Sequence, residues 1–215
     1  MDNEVIFDPG ENWFSNDKLL KTVLDKKFDK TTPLLFLEIG SWKGRSALWF
    51  LENYLIHPDS KLYCVDTWNM HEWNDYNQEK AELSKNKGRA EELQIDHIYD
   101  QFIFNLTYKN LIHKCVPIKK RSVEALNEFK DNFFDFIFVD GDHSERGCYQ
   151  DLRAAWPKVK EGGILFGDDW AWSENGTNKP VQLAANRFAK ENNLRIRPWF
   201  GKGNGYYFKK CLNKR

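Results

Sequence analysis

The stretch Phe134–Val139, closed by Asp140-Gly141-Asp142-His143, constrains the fold of this chain more than any other. Its last four residues, Phe136-Ile137-Phe138-Val139, are all apolar, which suits a strand covered on both faces. Such strands belong to parallel sheets. An open parallel sheet leaves its ligand crevice at the carboxyl ends of its strands, so Asp140, Asp142 and His143 emerge where a ligand binds. Turn chemistry accounts for the same residues, because Asp and Gly favour tight reversals and Asp caps a following helix. Only the rest of the chain separates the two accounts.

Strand and helix patterns alternate along most of the sequence. Ser15 or Asn16 is placed to cap a helix reaching residue 28, with Leu19, Leu20, Val23 and Leu24 on one face. Residues 1–33 thus read as a helical leader packed on the main domain, residues 34–215. Strands are predicted at 34–39, 62–65, 115–118, 134–139 and 164–166. A loop from Gly40 to Gly44 opens a helix through residue 55, and further helices are predicted at 98–111, 122–129, 144–159 and 180–193. Gly162-Gly163 reads as the stop of the helix from 144, and a terminal hairpin, 195–199 with 205–209, turns at GKGNG. The expected fold is therefore α/β: a single doubly wound, mostly parallel, Rossmann-like sheet of seven strands with an antiparallel strand at its C-terminal end. Residues 67–96 are charged, aromatic and weakly periodic, and read as a lid or substrate insertion, or as an exposed helix pair.

Lysine plus arginine balance aspartate plus glutamate, 32 against 32, so no nucleic-acid or membrane partner is expected. The four cysteines, Cys64, Cys115, Cys148 and Cys211, form no CxxC pair and suggest neither zinc nor redox chemistry. With no apolar export signal at the N-terminus and no span-length apolar run, a reduced, cytoplasmic protein is expected. Several of the nine tryptophans, including Trp68, Trp73, Trp170 and Trp172, fall in predicted loops, where indoles suit the walls of a site for a flat or sugar-like ligand.

The sequence offers three constellations that carry chemistry. In Glu38-Ile39-Gly40-Ser41-Trp42-Lys43-Gly44-Arg45-Ser46, two glycines let the backbone approach a ligand beside a helix N-terminus. The spacing is neither GxGxxG nor a P-loop, which disfavours NAD and ATP. Asp66 ends the second strand, where an acceptor binds ribose hydroxyls or caps a loop. Twenty-eight positions after Asp140 come Asp168 and Asp169, the distance of one crossover to the neighbouring strand. Three carboxylates at one sheet edge repel unless a hard cation such as Mg²⁺ joins them, and His143 is placed to act beside them as a base titrating near neutrality.

Taken together, EIGSWKGRS, VDTW (Val65 to Trp68) and FVDGDHS…DLRAAWPKVKEGGILFGDDW resemble the class I S-adenosylmethionine-dependent methyltransferases. They are most similar to the metal-dependent O-methyltransferases that act on sugars and other small molecules. The resemblance implies that Glu38, Gly40, Ser41, Gly44 and Ser46 surround the methionine part of the cofactor. By the same likeness Asp66 binds the ribose within the motif that includes Thr67 and Trp68, and Ser122 contacts the adenine. Asp140, Asp168 and Asp169 match the metal ligands, with Asp140 beside both cofactor and acceptor, and His143 stands at the position of the catalytic base, or of a structural donor or substrate contact. The implied activity is Mg²⁺-dependent methylation of a hydroxyl on a small molecule such as a sugar or glycoside. Two other functions remain open at this point. Asp140-Gly141-Asp142 is also the DxD by which glycosyltransferases hold a nucleotide-sugar through a metal, and a non-catalytic cofactor-binding partner protein would keep the same fold.

Overall fold

The alternation in Phe136-Ile137-Phe138-Val139 decides how the layers are built. In the computed structural model, Phe136 and Phe138 point into one apolar cluster and Ile137 and Val139 into another. The sheet is thus covered on both sides, as the apolar run requires. The structure describes residues 5, 7, 14–69, 97–173, 176–199 and 204–211. The expected insertion at 67–96, including Trp73, lies outside the described residues apart from 67–69.

On the first face lie α1 (Asp17–Leu24), α2 (Arg45–Asn53) and α3 (Ile98–Tyr108). Helix α1 sends Leu19, Leu20, Val23 and Leu24 into the same cluster as Phe36, Phe50 and Phe136. The second face is covered by α4 (Ser122–Asn127), α5 (Glu145–Ala155) and α6 (Pro180–Glu191). The strands between them are β1 (Leu35–Ile39), β2 (Lys61–Asp66), β3 (Cys115–Lys119), β4 (Phe134–Val139), β5 (Val159–Gly167), β6 (Arg197–Pro198) and β7 (Tyr206–Lys209). They form one seven-stranded sheet in the order β3-β2-β1-β4-β5-β7-β6. Neighbours from β3 to β5 pair in parallel, while β7 pairs antiparallel with both β5 and β6. Strand order reverses between β1 and β4, which opens the ligand crevice outside their carboxyl ends.

Several element ends fall short of the sequence expectation, among them those of α3, α4 and β6, and the largest difference is at β5. Helix α5 stops at Ala155, and after a 3₁₀ turn over Trp156–Lys158 the chain is already strand at Val159. Gly162-Gly163 therefore lies inside β5 and stops no helix. The reason is pairing: Phe134 matches Val159, and the register then shifts before Phe136 meets Ile164, so the glycine pair is absorbed in an irregularity. Helix α1 is also shorter than expected, and Asn16 at its N-cap makes no side-chain cap bond.

Candidate active site

At the strand reversal, the loop after β1 and the loop after β4 touch. Gly40 has φ +84°, and a Cβ placed there would lie 1.9 Å from the Asp140 carbonyl oxygen, so only glycine fits. The strand ends are pinned by Gly40 N–H donating to Val65 O (2.9 Å) and Asp140 N–H to Ile39 O (2.8 Å). Gly44 opens α2 with φ +83°, and a Cβ there would lie 2.9 Å from Leu106 of α3.

Glu38 is fully buried, its Oε2 accepting from the Cys64 thiol at 3.6 Å. Its Oε1 and the nearby Ser41 Oγ have no hydrogen-bond partner among the described residues. Burial pushes its carboxyl up to about 7, and the charge of Asp140 adds to the rise. Buried polar groups are ordinarily paired, so an orphaned carboxyl oxygen and hydroxyl beside a glycine loop fit a ligand that brings its own donors.

Asp66 clamps two loops: its Oδ2 accepts from Trp42 N–H (2.9 Å) and its Oδ1 from Trp68 N–H (2.7 Å). Both tryptophans sit in the left-handed region, with φ 47° and 45°, the conformation that turns their N–H groups onto this carboxylate. The Trp68 indole donates to Trp42 O at 2.8 Å and packs on Tyr99 and Phe102. Trp68 and Trp170 are 6% and 7% exposed, so they are packing residues rather than the ligand walls the sequence suggested. Trp172 packs instead beside the cluster, its ring centroid 5.3 Å from that of His143.

A cavity of about 550 Å³ runs from Gly40 past Asp66 and Thr67 to Ser122, Gly141 and Asp151, a size ordinary for small-molecule sites. Ser122 Oγ donates to Asp151 Oδ1, and burial holds the Asp151 carboxyl up at about 7. Asp151, four per cent exposed, is a polar group on this wall that sequence reading missed. Nothing in its surroundings in the chain marks it off from an ordinary helix-surface acid.

The carboxylate cluster lies at the ends of β4 and β5. His143 Nε2 is 2.9 Å from Asp169 Oδ2 and 3.4 Å from Asp140 Oδ1. One ligand atom from each of these three residues lies within 4.8 Å of the others, a spacing that can hold a metal ion. Burial alone would lower the His143 pKa, but its bonds to the two carboxylates override this and lift it to about 10. Asp140 is pushed up to about 6, burial outweighing the bond from His143. Asp168 lies beside this trio: its Oδ1 is taken by the Asn16 amide and by the Asp169 N–H at 2.6 Å. Its carboxyl is nevertheless raised by burial and by Asp140 and Asp169, so it shares their field. Asp142 leaves the group altogether. Its Oδ1 accepts from Ser144 N–H at 2.8 Å and its carboxyl covers Gly147, so the DxD does not present two acids to one ion.

A doubly wound sheet with a tight glycine loop after β1, an acid after β2 and a carboxylate cluster after β4 and β5 defines a class I S-adenosylmethionine-dependent methyltransferase. Residues 37–170 match the family described as a methyltransferase domain, and the chain belongs to that family. Among solved structures the fold is similar to that of the O-methyltransferase NovP, with TM-score 0.67 and 12% identity over 92% of this chain and 80% of that one. It is similar also to a putative caffeoyl-CoA O-methyltransferase from Staphylococcus aureus, with TM-score 0.62 and 15% identity over 91% and 82%. A third similar structure is an O-methyltransferase from Bacillus cereus in complex with SAH, with TM-score 0.59 and 16% identity over 98% and 84%. No curated protein matches the chain in sequence. Among the described residues no helix is long and apolar enough to cross a membrane.

Proposed function

We propose that this methyltransferase acts on a hydroxyl oxygen of a small molecule, a sugar or glycoside, with the help of Mg²⁺ or another hard divalent cation. The observation that carries this reading is the cluster of Asp140, His143 and Asp169, gathered within ligand distance where the Gly40 loop meets Asp140. Asp140 and Asp169, with Asp168 alongside, form an oxygen donor set suited to Mg²⁺ or Mn²⁺, which leaves His143 Nε2 for the proton. The O-methyltransferase names of the similar structures support the same acceptor atom.

For the cofactor, Glu38, Ser41 and Ser46 would receive the ammonium and carboxylate of the methionine part. Gly40 and Gly44 give the loop its close approach, Asp66 and Thr67 face the ribose, and Ser122 faces the adenine. The unpaired Glu38 Oε1 and Ser41 Oγ are the features of this chain that fit such a group.

In the reaction an O–CH₃ bond forms, the S–CH₃ bond of the sulfonium breaks, and the hydroxyl proton leaves. The methyl is already activated, so alignment of the attacking oxygen is the larger task. Asp140 and Asp169, with Asp168, would hold a cation whose Lewis acidity would lower the pKa of the acceptor hydroxyl. His143 takes the proton at Nε2. While Asp140 and Asp169 both accept from it, His143 holds a proton of its own, and engagement of those carboxylates elsewhere returns it toward the ordinary imidazole range. The Trp172 ring walls the acceptor side of the imidazole.

The test is methyl transfer from S-adenosylmethionine to a panel of sugars, glycosides and catechols, with EDTA and with Mg²⁺ or Mn²⁺ restored. Turnover on a hydroxylated acceptor that EDTA abolishes and the metal restores is expected. Turnover indifferent to EDTA, or confined to nitrogen or carbon acceptors, rejects the reading.

A further inference from the structure

Asn16 stands 152 positions before Asp168 in the chain, yet its side chain is buried against it. As the residue before α1 it is placed to cap that helix, a role Asn ordinarily fills well, but its side chain makes no cap bond. The amide is engaged elsewhere. Nδ2 donates to Asp168 Oδ1, and Oδ1 accepts from the Asn204 backbone N–H at 2.6 Å. A carboxylate on one side and an N–H on the other leave only one orientation of the amide that satisfies both.

Asn204, in the C-terminal turn, carries the network onward. Its Nδ2 donates to Asp169 Oδ1 at 3.2 Å, its Oδ1 accepts from Ala171 N–H, and its backbone carbonyl accepts from Trp170 N–H at 3.0 Å. Asp169 itself has φ 57°, a left-handed conformation that persists in a non-glycine residue only where its surroundings over-determine it. The donors from the two asparagines fall on Oδ1 of each acid. On Asp169 this leaves Oδ2 facing His143 in the cluster.

We propose that Asn16 is a positioning residue for the cation: its amide orients Asp168 and, by fixing Asn204, orients Asp169 as well. The inference rests on the reading that a divalent cation binds this cluster. Partners that orient metal ligands in this way typically change metal affinity by about 10–100-fold when removed. Through this network the segment ahead of the first helix and the turn ahead of the last strand both act on the metal site.

The experiment is titration calorimetry of the full chain with Mn²⁺, and separately with S-adenosylhomocysteine, for wild type, Asn16→Ala, Asn204→Ala, Asp168→Ala and Asn16→Ala with Asp168→Ala. We expect Asn16→Ala to weaken Mn²⁺ binding about 10–100-fold while S-adenosylhomocysteine affinity stays within about twofold. In the Asp168→Ala background, Asn16→Ala should retain only the smaller loss that passes through Asn204 and Asp169. Asn204→Ala, which alters a turn rather than the core, should weaken Mn²⁺ in the same direction and keeps the test usable if Asn16→Ala folds poorly. Unchanged Mn²⁺ affinity in Asn16→Ala and Asn204→Ala overturns the inference, as does an equal loss with and without Asp168 or a parallel loss of S-adenosylhomocysteine binding. If wild type binds no Mn²⁺, the cation reading itself falls and takes this inference with it.

Discussion

Glu38 is the side chain whose surroundings are most out of keeping with its chemistry: a carboxyl in the core, one oxygen unpartnered, held up at about 7. If it receives the cofactor's ammonium, only its ionised form binds well. Affinity for S-adenosylhomocysteine should then rise about tenfold between pH 6 and pH 8. In Glu38→Gln calorimetry should show a flat profile at the weaker level, whereas a wild-type profile already flat would separate Glu38 from the cofactor. His143 belongs to the chemical step. His143→Ala is expected to lower kcat by about 10²–10⁴ in single-turnover assays and to leave S-adenosylhomocysteine affinity within about threefold. At this scale the motif residues Glu38, Gly40, Asp66, Asp140 and His143 were legible because each lies at the end of a strand or within a few residues of it, and strand ends can be found from apolar runs. Asn16 was legible only as a cap. A capping Asn and an Asn that leaves its helix to meet a distant acid look alike in sequence, since the difference is the position of a partner 152 residues away.

Elements are joined here by side-chain donors as well as by apolar packing. Lys114, just before β3, directs its ammonium to the carbonyls of Leu55, Ile56 and His57 at 2.8, 2.9 and 3.0 Å, closing the chain that follows α2. Charge-assisted bonds to such carbonyls contribute about 1.5–3 kcal/mol, so Lys114→Met should lower Tm by several degrees in a thermal scan without altering cofactor affinity. An unchanged Tm would show that water replaces the ammonium at no cost. The β5 boundary teaches a complementary point. Gly162-Gly163 has the chemistry of a helix stop, but pairing of Val159 with Phe134 draws the chain into the sheet before the glycines are reached. Tertiary pairing overrides a local stop wherever a neighbouring strand offers its hydrogen bonds first.

Across the whole molecule, the cofactor side of the crevice stores proton affinity. Glu38 and Asp151, on different elements, are both lifted to about 7 by burial, so the folded chain binds more protons than the unfolded one between roughly pH 4 and 7. Folding stability therefore falls as pH rises through that window, and His143, held up at about 10, extends the fall above it. Denaturant midpoints at pH 5 and pH 8 should differ, with pH 5 the more stable by about 2 kcal/mol or more for each group, and Glu38→Gln with Asp151→Asn should remove their share of the difference and leave that of Asp140 and His143. Equal midpoints in wild type would show that both carboxyls are hydrated. By itself the sequence determined the alternation of strand and helix, the parallel sheet and the strand ends from which Gly40, Asp66, Asp140 and Asp169 emerge. These follow from apolar periodicity and turn chemistry, which act over a few residues. Only the tertiary structure decided that His143 joins Asp140 and Asp169, that Asp142 turns away to Ser144, that Ser122 meets Asp151, and that Asn16 and Asn204 brace the acids. Those pairings link residues according to where separate segments close on the strand reversal. A buried polar group takes whichever partner packing brings within hydrogen-bond reach, and local sequence does not encode that choice.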